Sequence, residues 1–189
     1  MIDTACDRIT LADLTDYAAG ELTDADAAVI EEHLFTCAAC GARAAEFDAM
    51  LRAIGAAARS AGIGGFVTEA VLNRLSRDGV RVRTFTLAPG AMVPCAVWEG
   101  DELMVLRLRG DFGDAGEVTL SQRVAGTEVN RASGAIVPAA HDELIFATPA
   151  AWIRELPAVE LDLQLTANDG GDERPIARYT LVHGGPLHR

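Results

Sequence analysis

The stretch that decides the fold is HLFTCAAC, residues 33–40. His33 and Cys37 lie four residues apart, so on a helix they share one face and can approach the same ion. Cys37 and Cys40 form a C-x₂-C pair, in which two thiolates from one turn occupy neighbouring corners of a tetrahedral zinc site. A closed site needs a fourth ligand, and Cys6 is the available upstream donor. The sequence therefore predicts Zn²⁺ bound by Cys6, His33, Cys37 and Cys40.

The same cysteines allow other interpretations. A free cysteine often serves as a small buried hydrophobe, and C-x₂-C is also a thioredoxin-like redox motif, although that motif expects a preceding strand and here the context is helical. A zinc enzyme would keep one coordination position open for water, which a set of four protein ligands does not. The chain shows no P-loop, dinucleotide-binding or nucleophile-elbow motif. We therefore expect a protein without enzymatic activity.

Three amphipathic helices are predicted around the motif. The first ends at Gly20, and the second begins at Thr23, which precedes Asp26 by three residues as in a capping box. The third runs from near Cys37 to about Ala57, with apolar side chains at i, i+3, i+4 and i+7. Short connections predict that residues 1–57 form a small antiparallel bundle. The apolar positions of the third helix are Phe47, Met50, Leu51 and Ile54.

Residues 55–65, GAAARSAGIGG, contain four glycines and predict a linker. A fourth amphipathic helix follows, with Val67, Val71 and Leu75 on one face. A helix this short is marginal alone and needs a surface to pack against. We assign residues 58–79 to a flexible linker and this helix.

From residue 80 onward the apolar period changes from 3.6 to 2. Met104 to Arg109 alternates apolar and charged side chains, and Leu161 to Thr166 repeats the alternation. Glycine-rich turns separate these runs. Residues 80–189 are therefore predicted to form an all-β domain, a sandwich or a degenerate barrel. The predicted fold class is α+β, with two domains, and the β domain is a candidate for sensing or dimerisation.

The formal net charge is −12, and all 16 basic residues are arginines. Residues 1–48 hold eleven acids against two arginines. This composition disfavours direct nucleic-acid binding and is compatible with either a basic protein partner or a solvated acidic surface. The sequence has no apolar run of about 20 residues, and its first residues are acidic where a secretory signal would be basic. A cytoplasmic protein without a membrane span is the expectation.

Two segments together resemble a known family. Asp13-Leu14-x-x-Tyr17-x-x-Gly20-Glu21-Leu22, followed by Glu31-x-His33-Leu34-x-x-Cys37-x-x-Cys40, is similar to the zinc-binding anti-sigma domain, whose hallmark is H-x₃-C-x₂-C. The resemblance covers about the first 60 residues. It implies a protein that binds an extracytoplasmic-function sigma factor and sterically blocks its association with RNA polymerase. The family's metal ligands map onto Cys6, His33, Cys37 and Cys40.

The resemblance also implies a binding surface and a means of release. The contact positions themselves are predicted from amphipathicity: Leu14, Tyr17 and Leu22 with the acidic surface near Asp24 and Asp26, and Val67, Val71 and Leu75 as the anchors of the fourth helix. In some family members the zinc cysteines oxidise and release metal and partner. Here Cys6 could pair with Cys37 or Cys40. An adaptor for a different protein partner is the alternative.

One subgroup of that family carries a cupin-like barrel after the zinc domain. Residues 89–100 are faintly similar to the cupin pattern P-G-x₃-P-x-H-x-H-x-G, but Cys95 and Val97 do not supply the two histidines. Metal chemistry of the cupin kind is therefore not expected. His141, His183 and His188 show no ligand spacing, and surface or hydrogen-bonded roles are expected for them.

Overall fold

The structure is a computed structural model that describes Cys6 and residues 8–61, 64–135, 142–169 and 172–185. It divides into two compact units. A helical unit comprises the chain up to Ala61 together with Thr68–Arg77, and a β unit comprises residues 62–67 together with the chain from Asp78 onward. The α+β, two-domain fold class is confirmed.

The helical unit contains α1 (Leu11–Ala19), α2 (Asp24–Thr36), α3 (Ala38–Ala61) and α4 (Glu69–Arg77). Thr10 and Asp13 form a capping box at the start of α1, and Gly20 ends that helix in the left-handed region at φ 74°. The Thr23 side chain accepts a hydrogen bond from the Asp26 N–H at the start of α2. The helix boundaries predicted at Gly20 and Thr23 are therefore confirmed.

The segment after the third helix differs from the prediction. The helix α3 continues to Ala61, beyond the expected end near Ala57, and residues 65–67 form a strand of the β unit. Val67 therefore lies in a strand and not on the fourth helix. The reason is that the Thr68 hydroxyl accepts a hydrogen bond from the Val71 N–H, as an N-cap residue does, so the helix begins only after Thr68.

The helical unit has a small core. Among its described residues, the core centres on Ile9, Leu14 and Cys40, with Phe47 among the side chains packed around them. Further along α3 the apolar positions Met50, Leu51 and Ile54 are exposed. The apolar face predicted for α3 is therefore only partly covered within this chain.

In its described residues the β unit has nine strands and one short helix, α5 (Ala150–Glu155). One sheet has the strand order β1-β7-β4-β2 and the other β3-β9-β8-β5-β6. Both sheets are open, and side chains from both form one core that includes Leu106, Leu120, Phe146 and Leu163. The predicted sandwich is confirmed and the degenerate barrel is not. The strands are β1 (Gly65–Val67), β2 (Val82–Leu87), β3 (Met92–Cys95), β4 (Leu103–Arg109), β5 (Val118–Val124), β6 (Thr127–Ala135), β7 (Glu143–Pro149), β8 (Ala158–Asp169) and β9 (Asp172–Gly184).

Most neighbouring strands are antiparallel, but β2 with β4 and β3 with β9 are parallel. The hairpin between β5 and β6 turns at Ala125 and Gly126, which both have positive φ as a type I′ turn requires. Gly134 lies within β6. Gly170 and Gly171, between β8 and β9, lie outside the described residues.

Within the described ranges, no helix combines the length and the apolar character needed to cross a membrane.

Candidate metal centre

The four predicted ligands come together in the helical unit. One ligand atom from each of Cys6, His33, Cys37 and Cys40 lies within 4.8 Å of every other. The Cys6 Sγ is 3.4 Å from the His33 Nε2. Residues separated by up to 34 positions in sequence thus present three sulfur atoms and one nitrogen atom to a common point.

The junction between α2 and α3 places three of these ligands. Cys37 caps the end of α2, where its N–H donates to the His33 carbonyl oxygen over 2.8 Å, and α3 begins at the next residue. Cys40 therefore lies in the first turn of α3. Gly41 allows the close approach of the two helices, because a Cβ added there would lie 3.1 Å from the Leu34 carbonyl oxygen.

Contacts with α3 hold in place the N-terminal segment that carries Cys6. The Cys40 thiol donates to the Cys6 carbonyl oxygen at 3.6 Å. The Arg43 guanidinium donates to the Ile9 carbonyl oxygen and also lies 3.9 Å from the Cys40 Sγ. Arg43 was not predicted as part of the site. It lies three residues after Cys40 on α3, a spacing that places both side chains on one face.

The electrostatics of the two C-x₂-C thiols differ. A hydrogen bond from the Cys40 backbone N–H lowers the pKa of the Cys37 thiol, as expected for a residue preceding a helix N-terminus. Burial is the main cause of the raised pKa of Cys40, and the nearby Cys6 and Cys37 thiols raise it further. Without a cation, three thiolates would repel one another, so the cluster needs a positive ion to hold all three deprotonated.

This donor set fits Zn²⁺. Three cysteines and one histidine are a common structural zinc combination, and four protein ligands leave no open position in a tetrahedral shell. Cys40 is almost fully buried, while Cys6, His33 and Cys37 are half-buried. Binding would cross-link the N-terminal segment to the α2–α3 junction, so metal affinity contributes directly to the stability of this unit.

The residues predicted to contact a partner differ in burial and in the element that carries them. Leu14 is in the core, with 4% of its surface exposed, so its assignment as a contact is wrong: its apolar face packs inward. Val67, in β1, is paired with Ile145 and is not a fourth-helix anchor. The half-buried positions are Tyr17 on α1, Leu22 in the α1–α2 connection, and Val71 and Leu75 on α4.

The histidines outside the cluster were expected to have surface or hydrogen-bonded roles. His183 is instead buried in the β unit with 3% of its surface exposed, and neither ring nitrogen has a hydrogen-bond partner among the described residues. His141 and His188 lie outside the described residues.

Comparison with known proteins supports the metal centre. Residues 6–41 match a protein family described as "Putative zinc-finger", and the matched span begins at the first ligand and ends one residue after the last. No curated protein matches the chain. Two solved structures are similar at low level: the N-terminal domain of phage TP901-1 ORF48 and the cysteine protease inhibitor EhICP2 from Entamoeba histolytica.

The phage domain is 9% identical, with 55% of this chain and 97% of that chain covered and a TM-score of 0.32. The inhibitor is 14% identical, with 55% and 95% covered and a TM-score of 0.27. TM-scores this low do not establish a shared fold. The family match, by contrast, coincides with the ligand cluster. Residues 6–41 therefore match this zinc-finger family, and within that span Cys6, His33, Cys37 and Cys40 form a ligand cluster consistent with bound Zn²⁺.

Proposed function

We propose that this protein is an anti-sigma factor whose helical unit binds an extracytoplasmic-function sigma factor and sterically blocks its association with RNA polymerase. The observation that carries the proposal is the zinc-finger family match over residues 6–41 with all four ligands in place, because zinc fingers of this family are typical of anti-sigma factors. A sigma-factor partner also implies that the protein acts in the cytoplasm.

An exposed apolar surface supports a protein partner. Met50, Leu51 and Ile54 on α3 are exposed, and Phe35 near the end of α2 has 91% of its surface exposed. A groove of about 510 Å³ borders Phe35 between α2 and α3. Clusters of exposed apolar side chains on a small unit mark interaction surfaces. The residues that line the groove are Tyr17, Glu31, Leu34, Phe35, Gly41 and Ala44.

Charge supports a basic partner. Residues 1–48 carry eleven acids against two arginines, and Asp24 and Asp26 are exposed in the first turn of α2. Complementary charge accelerates encounter and suppresses wrong partners. The zinc ion has a structural role in this proposal and not a catalytic one, because its four protein ligands leave no position for substrate or water.

We also propose that thiol oxidation releases the partner. A peroxide would oxidise the Cys37 thiolate to a sulfenic acid, with the peroxide reduced to water. The Cys6 or Cys40 thiolate would then attack that sulfur, forming a disulfide and releasing hydroxide. Loss of two thiolate ligands would expel Zn²⁺. The lowered pKa of Cys37 supports this residue as the first to react.

Binding can be tested by co-expressing the full chain with each sigma factor of its native host. We expect one sigma factor to co-purify and its transcription in vitro to be inhibited. Met50→Glu and Ile54→Glu should each weaken binding by roughly 10- to 100-fold, since burial of one such side chain contributes about 1.5–3 kcal/mol. Met92→Glu is the matched control, because Met92 is an exposed methionine of the β unit.

Equal binding by the Met50 and Met92 variants would exclude the α3 face as the contact surface. Capture of no sigma factor by the zinc-loaded chain would exclude the anti-sigma role itself. Peroxide treatment of the complex tests release: free sigma factor, zinc loss and one disulfide per chain should appear together. If the cysteines are oxidised but the complex stays intact, the release mechanism is contradicted, whereas the anti-sigma role is not.

A further inference from the structure

Unpaired buried polar atoms mark a second site, at one end of the β sandwich. In the described part of the chain, three buried side-chain polar atoms have no hydrogen-bond partner: Thr148 Oγ1 and both ring nitrogens of His183. Buried polar groups are normally hydrogen-bonded, and an unpaired buried imidazole is costly. Such atoms therefore point to an occupant that would satisfy them.

Sheet register brings these atoms towards two sulfur-containing side chains. Cys95 on β3 is directly opposite His183 on β9, and Met104 on β4 is directly opposite Thr148 on β7. Residues paired in this way point to the same face of a sheet, and neighbouring strands are about 4.8 Å apart. The Cys95 Sγ lies 3.5 Å from the Met104 Sδ, so the two pairs meet across the interior between the sheets. All four residues are at most 4% exposed.

The spacing of the two sulfur atoms suits a shared metal ion. Two sulfur ligands that each lie about 2.3 Å from a metal are at most about 4.6 Å apart, and the observed separation falls within that limit. Thiolate, thioether and imidazole together form a soft donor set, of the kind that selects Cu(I) over the hard cations.

Charge balance also favours a monovalent ion. The four residues include one thiol that can become an anion and no carboxylate. Cu⁺ with one thiolate, a thioether and a neutral imidazole has no net charge, whereas Zn²⁺ with the same ligands would leave a buried positive charge, which is strongly disfavoured. Burial raises the pKa of the Cys95 thiol to about 11, so metal binding must displace its proton.

We propose that Cys95, Met104 and His183 form a Cu(I) site in the interior of the β unit, with Thr148 beside it. Binding follows Cu⁺ + Cys-SH → Cu–S-Cys + H⁺, with no change of oxidation state. The connection between Cys95 and Met104 is anchored, because the Arg154 guanidinium donates to the carbonyl oxygens of Trp98 and Asp101 at 2.9 Å and 2.7 Å. Anchoring of this kind keeps ligands in position before metal binds.

The test must separate this site from the zinc finger, whose thiolates also bind copper. In the full chain, Cys6, Cys37 and Cys40 are replaced by serine, which leaves Cys95 as the remaining thiol. Anaerobic titration with Cu(I) against the chelator bicinchoninate should show one copper per chain, and X-ray absorption should show two sulfur ligands and one nitrogen ligand. Met104→Leu should weaken binding at least tenfold, and His183→Phe should do the same. Met92→Leu, on an exposed methionine, should not.

Two results would overturn the proposal: no copper retained by the serine variant against the chelator, or unchanged affinity after Met104→Leu. A crystal structure of the copper-treated protein with only a water molecule beside His183 would overturn it too. If the serine variant does not fold, the chain with all cysteines intact is compared with its Met104→Leu form. The site then requires that the Met104→Leu form retain less copper than the intact chain in competition with the same concentration of bicinchoninate, and equal retention contradicts it.

Discussion

Removing zinc should unfold the helical unit and leave the β unit folded. The helical core centres on two aliphatic side chains, Ile9 and Leu14, together with Cys40. Full burial of two such side chains contributes about 3–6 kcal/mol, whereas structural zinc contributes about 10–16 kcal/mol in zinc-finger peptides at neutral pH. The core alone therefore cannot replace the metal. The β unit has a large apolar core shared by two sheets, so we expect it to stay folded without zinc.

Two spectroscopic signals report separately on the folding of the helical unit and of the β unit. Both tryptophans of the chain, Trp98 and Trp152, are in the β unit, so tryptophan fluorescence reports on that unit, whereas far-ultraviolet circular dichroism at 222 nm reports mainly on the helices. The helices α1 and α2 span 9 and 13 residues, against 24 for α3. Unfolding of α1–α4 should remove most of the helical signal, because only the short helix α5 lies in the β unit.

The assay is chelation under reducing conditions, with zinc content measured in the same samples. Cys37→Ala should reproduce the chelated state, and Cys95→Ala should retain full zinc as the matched control. The fluorescence maximum should stay constant throughout. Retention of the full helical signal in protein with less than about 0.1 zinc per chain would refute the conclusion that the metal stabilises this unit.

Two further predictions concern thiol reactivity and packing. In zinc-free protein, iodoacetamide at neutral pH should modify Cys37 much faster than Cys95, because Cys95 stays buried in the folded β unit, where burial raises its pKa to about 11; equal rates under native conditions would contradict this. Gly64→Ala should destabilise the β unit by about 1–3 kcal/mol in urea unfolding followed by tryptophan fluorescence. The new Cβ would lie 2.5 Å from the Phe146 ring, whereas the control Gly65→Ala meets nothing within 4 Å, so equal stability of the two variants would contradict the packing argument.

The metal ligands were predictable because their spacing is local. A helical repeat fixes where His33 lies relative to Cys37, and one turn fixes Cys37 relative to Cys40. Cys6 followed from the need for a fourth ligand. Leu14 shows the limit of the same reasoning: periodicity identifies an apolar face but does not say whether that face packs inward or meets a partner.

The β unit shows what sequence patterns omit. Alternation predicted β4 and β8, but the three-residue strand β1 has too few positions to show a period. Cys95 and His183 lie far apart in the sequence of the β unit. They become neighbours only through the parallel register of β3 and β9, which the sequence pattern does not reveal. A histidine without ligand spacing in sequence can therefore still be a ligand in space.

The helical unit has a much smaller apolar core than the β unit, so we expect the two units to respond differently to loss of zinc. A unit whose few buried side chains surround a metal site loses its fold when the metal leaves, and its binding surface is lost with it. The exposed residues Met50 and Ile54 share α3 with Cys40, so one helix carries both a zinc ligand and the proposed contact surface. Expulsion of zinc would therefore disorder the proposed contact surface directly, without any signal passing through the β unit. A signal acting through the β unit would instead have to change the zinc affinity or the position of α3, and zinc content measured during release would separate these two routes.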